Sequence, residues 1–117
     1  MTLQADLTAV LKTACPRVFT DFAPSGTARP FVTFQLMGGR ALGWLDRSAA
    51  DKRHSLVQID VWSEKRSETT ALIQQIEAAM RAATAFKAWP NAEPLSDNQD
   101  ELGWYGALQD FSIYSNR

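Results

Sequence analysis

The 117-residue sequence contains a single cysteine and a single histidine. One cysteine cannot form an internal disulfide, and Cys15, followed by a proline at the end of a predicted helix, is interpreted as a small packing residue. The histidine that would have to act as its base, His54, falls in a stretch that we predict to be a loop. The sequence therefore predicts no Cys–His nucleophile, no metal site and no cofactor.

An excess of basic residues is also missing, because 12 Lys and Arg are balanced by 13 Asp and Glu for a formal net charge of −1. Such a chain gains little by displacing counterions, which argues against nucleic acid or an anionic membrane as its main partner. Apolar runs are short, and the N-terminal MTLQADLTAVL carries an acid where a signal peptide needs a base. We therefore predict no membrane span, no export and a cytoplasmic location for the newly made protein.

Catalytic motifs are scarce as well. The glycines of GGRALG, residues 38–43, are not followed by Lys-Ser/Thr and do not lead from a strand into a helix, so they do not form a phosphate-binding loop. Asp60 and Asp110 are carboxylates predicted to share a sheet face, where like charges raise one pKa. Because polar residues on an open face usually contact water, we predict no catalytic residues.

The composition that is present, 45% hydrophobic and 21% charged residues, is that of an ordinary globular protein. A chain of this length can bury one core and is too short for two. We predict a single domain spanning residues 1–117.

Two stretches have the apolar spacing of a helix. In residues 2–14, Thr2 is a plausible N-cap and Pro16 ends the helix. In residues 64–86, Ser63 is the candidate N-cap. The predicted apolar stripe of this second helix consists of Leu72, Ile73, Ile76, Ala79, Met80 and Ala83.

Alternating apolar residues predict strands near 18–22 and 31–37, then at 56–62 and at the C-terminal WYGALQDFSIYS. The stretch 87–103 contains two prolines and is interpreted as an exposed connection with room for one short strand. The predicted class is α+β, an antiparallel sheet of about four strands in the order α-β-β-β-α-β(-β), with two α-helices on one face and a long loop between the second and third strands.

Covering one face with helices leaves the other face of the sheet open. The residues predicted to lie on this open face are Gln35, Gln58, Asp60, Trp62, Asp110, Ser112 and Tyr114.

The long loop and the stretch 93–110 have opposite charge. The loop combines Leu42, Trp44 and Leu45 with several bases, whereas residues 93–110 contain acids and no base. These features are compatible with solvated surfaces, with Trp44 folding back on its own sheet, or with head-to-tail docking between subunits. The predicted interface residues are Arg40, Leu42, Trp44, Leu45, Arg47, Arg53, Gln58, Asp60, Trp62, Asp97, Asp100 and Glu101.

The layout of the chain resembles the bacteriophage tail completion proteins, also called head–tail joining or tail terminator proteins. The parts that carry the resemblance are RPFVTF at residues 29–34 and QIDVWS at residues 58–63. The resemblance implies a phage or prophage subunit that forms a ring, typically a hexamer. The ring would cap the tail tube at its head-proximal end and engage the head connector, after assembly in the host cytoplasm. It implies no particular functional residue.

Two other functions stay open at this point. The basic loop 40–53 could bind nucleic acid, with Lys52 adding a base and Trp44 stacking on bases. Less favoured is an enzyme of unknown reaction that uses Asp60 and Asp110.

Overall fold

A computed structural model describes residues 2–40, 52–99 and 103–116. It confirms the α+β class. The elements in chain order are α1 (Leu3–Lys12), β1 (Val18–Thr20), β2 (Phe31–Leu36), β3 (Lys52–Ser63), α2 (Arg66–Ala82), β4 (Lys87–Pro90), β5 (Leu95–Gln99) and β6 (Trp104–Asn116). Neither described helix is long and apolar enough to cross a bilayer.

The sheet has six strands in the described residues, and not about four as the sequence predicted. Its order is β1-β2-β3-β6-β4, and β5 pairs with the other half of the long β6. The β2–β3 and β3–β6 pairs are antiparallel, as predicted. The prediction of a purely antiparallel sheet was wrong, because β1 runs parallel to β2. Residues 21–30 carry the chain back to the starting end of β1, so that both strands run in the same direction.

The core lies between one face of the sheet and the two helices. Strand β3 contributes Val57, Ile59 and Val61, all fully buried, and Leu7 and Leu11 of α1 reach the same cluster. Helix α2 buries four residues of its predicted stripe, Leu72, Ile73, Ile76 and Met80. Because alternate strand residues point to opposite faces, this single-sided core leaves the other face of the sheet without a covering helix in the part of the chain that the structure describes.

The sequence predicted the N-cap residue of α1 correctly and that of α2 wrongly. Thr2 caps α1, since its Oγ1 accepts the Ala5 N–H at 3.1 Å. Ser63 does not cap α2, which begins at Arg66 with Lys65 at the N-cap position and no side-chain cap. The Ser63 hydroxyl instead donates to the Glu68 carboxylate and accepts the Lys65 N–H at 3.3 Å, so it closes the turn between β3 and α2.

Strand β3 begins earlier than predicted and includes His54, which the sequence placed in a loop. The His54 side chain is buried, its Nδ1 accepts the Arg40 N–H at 2.9 Å, and its ring lies 4.8 Å from that of Tyr114. Gly39, which precedes Arg40, has a φ of 148°. A Cβ added to Gly39 would lie 2.4 Å from the His54 carbonyl oxygen. Glycine is therefore required where the chain leaves the sheet.

The connection after α2 is more ordered than predicted. It contains both β4 and β5, which pair with successive parts of β6. Pro90 is compatible with β4 because this strand lies at an edge of the sheet, where a missing N–H costs no ladder hydrogen bond.

Candidate interaction surface

The open face of the sheet brings together all seven residues that the sequence placed there. Gln35 pairs with Gln58, which pairs in turn with Asp110, and these three side chains form one row across three strands. Asp60 and Trp62 lie two and four residues after Gln58 on β3, so their side chains point to the same face. Ser112 and Tyr114 follow along β6 toward the opposite end of the sheet. The predicted face is therefore confirmed as a set.

The predicted interface residues that are described separate into two ends of the sheet. Arg40 is exposed beside His54, and Trp62 and Asp97 lie at the other end. Arg53 is exposed at the same end as Arg40, but it alternates with Val57 and therefore lies on the helix-covered face. Eight β3 residues separate His54 from Trp62, which is about 27 Å along an extended strand. The basic and acidic ends are thus far apart on one subunit. Gln58 and Asp60 lie between them, and Leu42, Trp44, Leu45, Arg47, Asp100 and Glu101 lie outside the described residues.

At the acidic end, residues 21–29 stand over the open face and form what we call the aromatic cleft, with a volume of about 1040 Å³. Its floor consists of Phe31, Thr33, Asp60, Trp62 and Trp104, and Glu64 lies at its edge. A groove of this size can accept several side chains of another polypeptide.

Stacked side chains determine the shape of the cleft. The Arg29 guanidinium lies 4.6 Å from the centre of the Trp104 ring and forms an ion pair with Glu64 at 2.8 Å. Phe31 meets the same indole edge-on at 6.0 Å, and Trp62 lies 6.1 Å from it. Interlocking of a cation and three aromatic rings makes the floor rigid and apolar.

Trp62 has its position because its partner on β6 is a glycine. A Cβ at Gly106 would lie 2.7 Å from the Trp62 indole, so any larger residue there would collide with the ring. The Gly106 carbonyl in turn accepts a hydrogen bond from Arg66 at 2.7 Å. The second guanidinium nitrogen of Arg66 donates to the Asp97 carbonyl at 2.7 Å, which ties β5 to the strand beside Trp62.

Negative charge accumulates next to the aromatic floor. Partial burial raises the pKa of Asp60, and the nearby carboxylates of Asp97 and Asp110 raise this pKa further, against a hydrogen bond from Gln58 that lowers it. One carboxylate oxygen of Asp110 is buried without a hydrogen-bond partner in the described residues. Arg29, the base that lines the described part of the cleft, is already paired with Glu64.

Replacing Asp60 with asparagine should therefore stabilise the isolated subunit at neutral pH. An acid whose pKa is raised on folding contributes stability below its unfolded pKa, about 3.9, and loses it as the pH rises through the folded value. The asparagine side chain stays neutral at every pH and keeps an oxygen for the Gln58 amide. In thermal unfolding we expect a higher Tm for Asp60→Asn at pH 7 and no difference near pH 3.

A matched control is Asp6→Asn, because Asp6 lies in the first turn of α1, where its charge is favourable. This variant should have a lower Tm than the wild type at pH 7. An Asp60→Asn protein that is less stable than the wild type at pH 7 would contradict burial as the main cause of the raised pKa.

Some residues of this surface were not found from the sequence. Phe22 is 79% exposed at the mouth of the cleft, and Arg29 and Trp104 complete the cleft. Trp89 is 45% exposed near the opposite end and stacks on Tyr114. The signal that could have found Phe22 is a large aromatic residue two positions before a Pro-Ser-Gly loop, where core residues are rare.

The family model described as tail completion protein gp17 matches residues 2–115. No curated protein matches the chain.

Proposed function

Because the chain belongs to the tail completion protein gp17 family, we propose that it forms a ring on the head-proximal end of a phage tail tube and joins the tail to the head. Its partners are then other copies of itself, the tail tube protein and the head connector protein. The ring is proposed to be a hexamer that assembles in the host cytoplasm and remains in the virion tail.

The proposed mechanism is binding without chemistry. A ring on the last layer of the tube covers the surface to which further tube subunits would add, so that growth of the tail stops. The outer side of the ring is then a new surface for the head connector. No bond is made or broken, and the length of the tube and the order of assembly follow from which surfaces are covered.

The observation that best supports this proposal is the separation of the basic end from the acidic end of the open face. A contact between unlike ends of identical subunits is heterologous, and such contacts close into a ring when the rotation between neighbours allows it. The proposed contact joins the basic end of one subunit to the acidic end of the next. It comprises the twelve interface residues predicted from the sequence, of which six are described.

The subunit is large enough for two such contacts. A specific contact buries about 800 Å² on each partner, and the folded chain exposes 7243 Å². Two neighbours would therefore cover roughly a fifth of this surface, and the remainder is open to the tube and to the connector.

Mass measurement by analytical ultracentrifugation tests the proposal directly. We expect the purified protein to become heavier with increasing concentration, or to bind in a fixed number of copies when tail tubes are added. Six copies per tube end is the expected number. A protein that stays monomeric at every concentration and does not bind tube ends would contradict it.

A further inference from the structure

We propose that the aromatic cleft of one subunit receives residues 41–51 of a second copy, here called the Trp44 segment, with the Trp44 indole against the aromatic floor and Arg47 facing the carboxylates. This inference rests on the proposed self-association and adds to it which segment meets which surface.

The shape of the cleft suits an aromatic side chain. Its floor contains the partly buried rings of Trp62 and Trp104 beside the buried Phe31, and the exposed Phe22 extends the apolar surface at its mouth. A large exposed phenylalanine is unfavourable in water and becomes favourable when a partner covers it. Tryptophan is the residue type that most often anchors protein interfaces.

The charges of the cleft favour a basic occupant. Asp60 lines the cleft, the carboxylates of Asp97 and Asp110 lie close enough to raise its pKa, and Arg29 is already paired with Glu64. The Trp44 segment carries Arg47 together with Asp46 and Asp51, and it is flanked by Arg40, Lys52 and Arg53. The stretch 40–53 therefore has four bases against two acids. An arginine placed beside the Asp60 carboxylate in the cleft would form charge-assisted hydrogen bonds with it.

The Trp44 segment cannot bring its indole onto the Trp62 and Trp104 part of the floor in its own subunit. Arg40 is fixed beside His54 by the hydrogen bond from its N–H to the imidazole. Trp44 follows four residues later, so its Cα lies at most about 14 Å from that of Arg40. Trp62 lies about 27 Å from His54 along β3, and an indole spans only part of the remaining distance. An indole on this part of the floor must therefore come from another copy.

Each subunit then donates one segment and receives one. Donor and acceptor sites lie at opposite ends of the open face, so the contact is heterologous. In an open chain of subunits the cleft at one end stays empty. Only in a closed ring does every cleft receive a segment from a neighbour.

The test uses the full-length Trp44→Ser protein and a synthetic peptide of residues 38–53 as the probe. The variant lacks its own anchor and keeps three tryptophans, Trp62, Trp89 and Trp104, whose indole N–H signals NMR resolves. We expect the peptide to shift the signals of Trp62 and Trp104 and to leave that of Trp89 unchanged. A contact worth about −4 kcal/mol half-saturates near 1 mM peptide, so titration to several times that concentration suffices.

Two control measurements make the result specific. A peptide in which Trp44 is replaced by serine should bind at least about tenfold more weakly, since an anchor residue contributes about 2 kcal/mol or more. Introducing Phe22→Ser into the Trp44→Ser protein should also weaken binding of the original peptide, and because Phe22 is exposed, its loss leaves the core intact. Equal binding of both peptides would overturn the proposal.

Other outcomes also decide the question. No shift at millimolar peptide, or a shift of Trp89 alone, would show that the cleft is not the acceptor. The proposed function is tested separately by whether the wild-type protein completes tails in an extract that lacks it. If tails are completed and the peptide does not bind, the cleft assignment fails and the function stands. If tails are not completed, the proposed function fails.

Discussion

Replacing both Leu42 and Trp44 with serine is expected to abolish tail completion and to leave the subunit folded. Apolar anchors at the centre of an interface contribute about 2–4 kcal/mol each. Losing about 4 kcal/mol at one contact weakens it by roughly a thousandfold, and in a ring every contact is affected. Because the core cluster of the described strands and helices is complete without these two residues, the helix content measured by circular dichroism should not change.

The measurement is the count of head-attached tails in electron micrographs, after the variant is added to an extract that lacks the protein. Gln75→Ser is the control, since it changes an exposed residue of α2, on the side of the sheet that the proposed contact does not use. We expect the control to complete tails within about threefold of the wild type, since surface changes away from such contacts usually shift free energies by about 0.5 kcal/mol. Normal tail completion by the double variant would contradict a role of Leu42 and Trp44 in the mechanism.

The sequence predicted the elements whose pattern is long and regular. One face of each of these strands packs on the core, so the buried residues alternate along the sequence. The buried residues that show this alternation are Val57, Ile59 and Val61 in β3, and Phe111 and Ile113 in β6. The same alternation placed Asp60 and Trp62 on the open face. This half of the candidate surface was therefore predictable without any knowledge of how the strands pair.

Elements that depend on pairing partners were not predictable in the same way. The three residues of β1 are too few to encode a direction, and their parallel pairing with β2 depends on the path of residues 21–30. Pro90 reads as a strand breaker unless it is known to lie at an edge. His54 reads as part of a polar loop, and only its contacts with Arg40 and Tyr114 show that it belongs to β3.

The aromatic cleft combines residues that are distant in sequence. Arg29 meets Trp104 through a loop that precedes β2 and a strand that ends the chain. Neither residue belongs to an alternating or helical sequence pattern that would predict this contact. The cation–π contact forms only when the sheet brings the two residues together. Trp62 was predicted as part of the face, whereas its place in a cleft depends on the glycine opposite to it on β6.

Gly106→Ala should destabilise the subunit by about 1–3 kcal/mol, the usual cost of overpacking. The backbone of Gly106 does not have a positive φ, so alanine is compatible with its conformation. The cost arises because the new Cβ would lie 2.7 Å from the Trp62 indole, which has to move away from Trp104. Urea unfolding measures this change as a shift in midpoint at constant slope.

A double-mutant cycle with Trp62→Ala shows whether the indole is the cause. In the Trp62→Ala background the added methyl group has room, and Gly106→Ala should be neutral or stabilising by up to about 1 kcal/mol, because alanine loses less backbone freedom than glycine on folding. The same cost in both backgrounds would place the collision elsewhere. The Gly106→Ala variant keeps the Trp62 indole and changes its position. Weaker binding of the residue 38–53 peptide to this variant would show that binding in the cleft depends on the position of Trp62 as well as on the indole itself.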